Sequence, residues 1–316
     1  MGKSILDADQ FKDEAAAYAW VEARVWPNGR VCPHCGEIGH SSPMKGKSTR
    51  IGAYKCYGCR KPFTVKIGTI FEKSHIPMHI WLQAMFLIAS SKKGISSNQL
   101  ARTLGVTLKS AWFMSHRIRE AMKDTAGGMF GAGGGGVEVD ETYFGHDPDA
   151  PLGKKRNATN KNRVLTLVDR DSGKARSLMA PDFSIEGLRP ILAENIAKEA
   201  TLLTDEASAY KTPGKGFAAH KSVKHGVGEY VKRDDRAVHT NTVEGYFSVF
   251  KRGMRGVYQH CGKNHLHRYA AEFDFRYSHR AKLGVDDVTR FAKIVEGAKG
   301  KRLTYRRTNR EAGAKA

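Results

Sequence analysis

Apolar residues recur at three- and four-residue intervals through the first third of the chain and at alternate positions beyond residue 136. The chain therefore reads as helices first and a sheet afterwards. Phe11, Ala15, Tyr18, Ala19, Val21 and Trp26 predict a short helix over 8–26, closed by the turn Pro27-Asn28-Gly29. YKC and PFTVKIGTIF read as short strands around residues 54–71. Pro77 can open a helix through HIWLQAMFLIAS, which Lys92-Lys93-Gly94 stops. SSNQLARTLGVTLKSAWFMSHRIREAMK reads as helix, tight turn, helix, with Ser97 and Thr107 as caps and Gly105 in the turn.

Residues 127–136, GGMFGAGGGG, hold seven glycines in ten positions and read as a flexible linker, because glycine loses the most backbone entropy on ordering. VEVDETYF follows as a strand, with Val137, Val139 and then Thr142 or Tyr143 alternating and Asp140 carried near its middle or end. RVLTLVDRDSGKARSLMA is a hairpin turning at Asp169 to Gly173. SIEGLRPILAENIAKE is an amphipathic helix with Leu188, Ile191, Leu192 and Ile196 inward. ATLLTDEASAY is an apolar strand ending at Asp205, and VKHGVGEYVK is a possible further strand. AVHTNTVEGYFSVFKRGMR is a helix with Thr242 as its expected cap, Val243, Phe247 and Phe250 buried, and Glu244, Lys251, Arg252 and Arg255 for chemistry or phosphate. From His265 to Tyr277 aromatic and basic residues recur as a core stripe with a solvated edge. The last stretch, KGKRLTYRRTNREAGAKA, is expected to be disordered and to add non-specific DNA affinity.

Composition then narrows the partners. Among 316 residues, 53 Lys and Arg face 32 Asp and Glu, a formal charge of +21 and a pI near 9.8. Such a surplus favours polyanions, nucleic acid before anionic membrane. No apolar run approaches the ~20 residues of a spanning helix, and MGKSILDADQF lacks the apolar middle of a signal peptide. Gly2 stands where a myristoyl acceptor would, but Leu6 breaks that motif. A soluble, cytoplasmic protein is expected.

Four of the five cysteines form CPHCG (Cys32, Cys35) and CYGCR (Cys56, Cys59), with 20 residues between the pairs (56 − 35 − 1). Two CxxC knuckles at that spacing predict a closed, structural zinc site, and His34 and His40 read as bystanders. The second helix of the pair carries Lys109, Ser110, His116, Arg117 and Arg119, residue types that reach phosphates and base edges. Asp140, Asp205 and Glu244 lie 65 and 39 positions apart (205 − 140; 244 − 205). Two neighbouring strands and a crossing helix can still gather them, and gathered carboxylates suit Mg²⁺ or Mn²⁺. Two such ions stabilise the entering and leaving oxygens when water or a 3′-hydroxyl attacks a DNA phosphodiester. Glu138, Glu141 and Asp169 are further acids near the sheet. Glu138 and Glu141 are expected to face away from Asp140 if alternation holds, with Glu141 kept as an alternative ligand. His225 and His239 read as structural hydrogen-bond partners, and Cys261 as an ordinary single thiol.

VEVDETYFG, LLTDEASAY and HTNTVEGYFSVFKRGMRGVYQHCGKNHLHRYAAEFDFRY resemble the three catalytic blocks of bacterial DDE insertion-sequence transposases of the ISXO2-like family. VCPHCG and YKCYGCRKPFTVKIGTIFEKS are similar to that family's ribbon. The resemblance spans roughly residues 10–280. It implies a multidomain α+β chain: helix and zinc ribbon over 1–76, DNA-binding helix-turn-helix over 77–126, linker over 127–136, RNase H-like catalytic domain over 137–298, and basic tail over 299–316. It further implies cleavage and strand transfer at element ends by a DNA-bound homo-oligomer acting on terminal inverted repeats and target DNA, in the nucleoid of a prokaryote. Asp140 and Asp205 match the first two metal ligands and Lys251 a following basic residue. The third place falls to Glu244, with Asn241 in reserve, because an amide offsets less of a hard cation's charge. The alternatives are a non-enzymatic ribbon and helix-turn-helix regulator with an inactive RNase H-like domain, and a general RNase H-like nuclease.

Overall fold

The computed structural model describes residues 4–124, 127–149 and 160–304. Its contacts divide into two compact units, each assembled from separate segments. One contains Met1–Ser90, Ser97–Met122 and Phe291–Ala316; the other contains Ser91–Ser96 and Lys123–Arg290.

In the first unit, helix α1 (Glu14–Val25) begins where the Asp13 carboxylate accepts the Ala16 N–H at 2.7 Å. The residues before it form two 3-10 turns rather than the predicted helix start. Strands β1 (Ser41–Pro43), β2 (Tyr54–Cys56) and β3 (Pro62–Phe63) make a small antiparallel sheet. Helix α2 (Met78–Ser90) is mostly buried, and its first N–H groups, from Met78 and His79, donate to the Glu14 carboxylate at 2.8 and 3.1 Å. Helices α3 (Ser97–Leu104) and α4 (Leu108–Met122) meet at Gly105, whose φ of +66° needs a residue without a Cβ penalty. The Thr107 hydroxyl accepts the Ser110 N–H, so that cap forms as expected. The returning C-terminal segment contributes Phe291, stacked on Trp20 with ring centroids 4.6 Å apart. Lys299 makes an isolated bridge with Thr69. Residues 305–316 of the expected disordered tail lie outside the described residues.

The second unit is a mixed sheet with helices on both faces. In chain order its elements are β4 (Gly136–Phe144), β5 (Asn162–Asp169), β6 (Ala175–Ala180), α5 (Ile185–Asn195), β7 (Thr201–Thr204), α6 (Lys211–Gly214), β8 (Ala219–Ser222), α7 (Asn241–Gly253) and α8 (Lys263–Ser278). The strand order is β6-β5-β4-β7-β8, with the first three antiparallel and β4, β7 and β8 parallel. Val137, Val139, Leu165 and Leu167 pack on Leu188 and Leu192 of α5. On the opposite face Phe144, Val164 and Val168 meet Val243, Phe247 and Phe250 of α7 and Leu266 and Phe273 of α8. The strand period of two sorts these side chains between the two cores.

The glycine-rich segment departs from its expected role. The Phe130 ring is buried and its backbone bridges Ile196. The Gly131 N–H donates to Asp169 at 2.8 Å, and a Cβ on Gly131 would stand 2.5 Å from that of Ala200. Residues 131–134 form a turn, with Gly131 packed closely against Ala200, Gly136 opens β4, and the unit boundary falls at Met122–Lys123. The further strand also shifts, to 219–222, while His225–Val227 forms a 3-10 turn.

Candidate metal centres and nucleic-acid face

The two CxxC pairs fold as matching knuckles. The Cys32 carbonyl accepts the Gly36 N–H and Cys32 N–H donates to Glu37, while Cys56 N–H donates to Lys61. In each knuckle the residue after the second cysteine is left-handed, Gly36 at φ +81° and Arg60 at φ +59°. All four Sγ atoms lie within 4.8 Å of one another, with Cys32–Cys59 at 3.7 Å and Cys35–Cys56 at 3.6 Å. Tetrahedral Zn–S bonds of ~2.3 Å place sulfurs about 3.8 Å apart, so this set is arranged to bind a zinc ion. His34 faces the Pro62 carbonyl and His40 the Glu37 carboxylate, outside the sulfur cluster.

The acids are gathered by register. β4 and β7 pair in parallel through Gly136↔Thr201, Val137↔Leu202 and Glu138↔Leu203, a constant offset of 65 positions (201 − 136). Continued past the last paired residues, that offset sets Asp205, one residue beyond β7, opposite Asp140, close enough for its charge to act on the Asp140 carboxyl. Glu244 stands in the first turn of α7, 39 % exposed, with its Oε1 3.6 Å from His225 Nε2. Burial, reinforced by the negative charges of Glu141, Asp205 and Glu244, pushes the Asp140 carboxyl up to about 7. The backbone N–H groups of Glu141 and Ala207 donate to Asp140 and Asp205. Oxygen donors that repel one another in this way fit a hard divalent cation, which would relieve the repulsion. Among the described residues, only the four cysteines form a metal-type cluster as tight as 4.8 Å; the three carboxylates are more widely spread.

Both sites now have a family context. Residues 133–278 match the ISXO2-like transposase domain and residues 12–62 the transposase zinc-ribbon domain. The chain carries an ISXO2-like transposase domain and a transposase zinc ribbon. A relative in Halobacterium salinarum, named as an uncharacterized protein in transposable element ISH50, is 29 % identical over 269 residues, 79 % of this chain and 86 % of its own. Among solved structures, the simian T-cell lymphotropic virus intasome in complex with PP2A regulatory subunit B56 gamma aligns at a TM-score of 0.27 and 14 % identity. That alignment covers 55 % of this chain and 63 % of the intasome chain, under two thirds of it.

The cations expected to face DNA divide. Lys109, Arg252 and Arg255 are exposed, and Ser110 and Lys251 are half-buried, with the Lys251 ammonium 5.6 Å from the Phe247 ring centre. Arg252 donates to the Ser248 carbonyl at 3.0 Å on the side of α7 that also carries Glu244. His116 and Arg117, by contrast, are 1 % and 7 % exposed. Arg117 donates to the carbonyls of Ile70, Glu72 and Leu303, so it ties segments of the first unit together and is withdrawn from any DNA surface. Arg119 is buried as well. The exposed residues of the helix pair instead include Asn98, Gln99 and Arg102 on α3.

Several acids change roles. Glu141 faces away from Asp140 and accepts from the Tyr210 hydroxyl. Glu138, two positions from Asp140, shares the Asp140 face, contrary to expectation, because strand side chains repeat every second residue. It is fully buried and accepts the N–H groups of Thr242 and Val243 at 2.9 Å each. Thr242 is therefore the recipient of the cap rather than its source. Asp169 is a turn residue, accepting from Ser172 and Gly131. His239 meets Arg170, and the His225 ring lies 3.2 Å from the Thr240 hydroxyl. Asn241 is the exposed first residue of α7.

Proposed function

We propose that this chain is a transposase that binds the ends of its insertion sequence and cuts and joins DNA with an RNase H-like catalytic unit. The sheet order and the helices on both faces support that fold reading. Asp140, Asp205 and Glu244 would hold two Mg²⁺ or Mn²⁺ ions, which supply charge stabilisation at the entering and leaving oxygens of the phosphodiester. The observation that supports the reading most is the parallel β4–β7 register, whose offset continued beyond the strand ends sets Asp205 opposite Asp140, with the charges of Asp205 and Glu244 both acting on the Asp140 carboxyl. Asn241 would hold the DNA backbone beside that turn. Lys251, Arg252 and Arg255 continue along the same helix as a track for phosphates. The helix pair, through Lys109, Ser110 and Arg102, reads end DNA together with the zinc ribbon. Two ends cut in concert imply a homo-oligomer on DNA.

The test is to incubate the full, zinc-loaded chain with terminal inverted-repeat DNA and Mg²⁺. Nicked and joined products are expected, and they should vanish in Asp140→Asn and Asp205→Asn while end binding persists. Binding without metal-dependent strand chemistry in the wild type would overturn the reading in favour of a regulator. Cleavage without end preference would favour a general nuclease. Glu244→Gln should abolish product, whereas Asn241→Ala should chiefly weaken DNA engagement; the reverse pattern would give Asn241 the third ligand position.

A further inference from the structure

Glu138 is a carboxylate with no exposed surface, on β4, two residues before Asp140. A buried charge is costly unless fully partnered. Here both oxygens are used. Oε1 accepts from Arg170 Nε at 2.7 Å, and Oε2 accepts the N–H groups of Thr242 and Val243, two of the donors that the start of α7 leaves without helical partners. A local cap is at hand and is not used: the Thr240 side chain makes no cap bond, and its hydroxyl meets His225.

Arg170 completes the clamp. Its guanidinium also donates to the carbonyls of Ala237 and His239, the latter at 2.9 Å, and lies 2.8 Å from His239 Nδ1. Its own N–H donates to the Gly136 carbonyl at 3.0 Å. One ion pair therefore joins the start of β4, the end of β5 and the entrance to α7. The clamp lies two residues along the chain from Asp140, and through the Val243 N–H one residue from Glu244.

We infer that Glu138 and Arg170 are positioning residues that fix Glu244 against Asp140 for divalent-metal binding. A Ser or Asp at the helix start would cap α7 equally well without desolvating a charge, but it would fix the helix only to itself. A carboxylate reaching from β4 fixes the helix to the strand that carries the other ligand. Mg²⁺ demands near-ideal octahedral geometry, so a small slide of α7 along the sheet would separate the donors. The forked guanidinium matters because three separate nitrogens meet Glu138, the Ala237 carbonyl and both the carbonyl and the Nδ1 of His239, a spread that the single nitrogen of lysine does not reproduce.

This inference rests on the two-metal reading, and the experiment separates the two. Mn²⁺ binding to the full, zinc-loaded chain is followed by electron paramagnetic resonance for wild type, Asp140→Asn, Glu138→Gln, Arg170→Lys and Leu188→Ala. The last removes core volume under the opposite face of the sheet and serves as a destabilised control. Glu138→Gln and Arg170→Lys should weaken Mn²⁺ about ten- to a hundredfold, with end-DNA binding retained. Leu188→Ala should lower the melting temperature and leave Mn²⁺ affinity unchanged. Should Glu138→Gln fail to fold, Arg170→Lys carries the test. Wild-type binding that depends on Asp140 yet is indifferent to Glu138 and Arg170 would overturn this inference alone. An equal loss in Leu188→Ala would reduce the clamp to general stability. Binding that is absent from the wild type, or that survives Asp140→Asn, would overturn the two-metal reading and the inference with it.

Discussion

In the ribbon, four ligands come from two pairs of cysteines 20 residues apart (56 − 35 − 1), and the sulfurs converge at 3.6 and 3.7 Å. On the sheet, three candidate ligands come from two strands and a helix, and the carboxylates stay outside the tight-cluster range. The physical difference lies in what holds each set. Each thiolate pair is positioned by its own knuckle, through backbone bonds spanning a few residues. The acids depend on β4–β7 register and on the Glu138–Arg170 clamp, so a shift of α7 would disperse them. Local assembly closes the four sulfurs on one another, and long-range assembly leaves the carboxylates more widely spread.

The largest expected effect strikes the locally built site. Chelating zinc, or Cys56→Ser, should unfold the ribbon, since structural zinc contributes roughly 10–16 kcal/mol in small zinc domains. Protease resistance of residues 12–62 and zinc content measured together would check it; a ribbon that stays folded without metal would erase the contrast with the sheet.

On the sheet side, Asp274 is half-buried, its carboxylate accepting from the hydroxyls of Tyr246 and Ser177 at 2.6 and 2.7 Å, and desolvation pushes its carboxyl up to about 6. Asp274→Ala leaves these donors without their acceptor and should cost about 1–3 kcal/mol, read as a lowered denaturant midpoint. An unchanged midpoint would mean that this polar network contributes nothing to the frame holding α7 to the sheet.

Asp140 gives a smaller effect of opposite sign. Its folded-state pKa, about 7, stands above the ordinary 3.8, so the native chain holds this proton more tightly than the unfolded chain. Stability should fall as pH rises between those values and stay level above them. Asp140→Asn should therefore raise the melting temperature at pH 8 by a few degrees and have little effect at pH 4. The same proton competes with metal, so Mn²⁺ affinity should decline as pH drops below about 7. A variant equally stable at both pH values would remove the case for crowded carboxylates.

The smallest effect concerns the cations. Lys109→Ala should weaken DNA binding uniformly across sequences and lower the salt slope by about 1, whereas Arg117→Ala should act through folding. A salt slope altered by Arg117→Ala in a fully folded sample would return that residue to the DNA face.

Much of the architecture was legible from periodicity and local chemistry. The cysteine spacing, the Gly105 turn with its Thr107 cap, the 162–180 hairpin and the apolar stripe of α7 depend on neighbours within a few turns, and all appear as expected. What failed to read were contacts made at a distance. Helical spacing gave no sign that His116 and Arg117 face inward, because a guanidinium seeking carbonyls and one seeking phosphate have the same sequence appearance. The glycine run looked like a linker because composition reports entropy and not the approach of Ala200.

Sequence alone determined the ribbon's cysteine set and the excess of positive charge, since residue type and short spacing carry that information. Tertiary structure decided which acids share a face, which cations remain exposed, and that Glu138 rather than a local residue caps α7. Those choices hang on strand register and helix docking, which join positions 65 to 105 residues apart (205 − 140; 243 − 138). No local pattern encodes such a pairing.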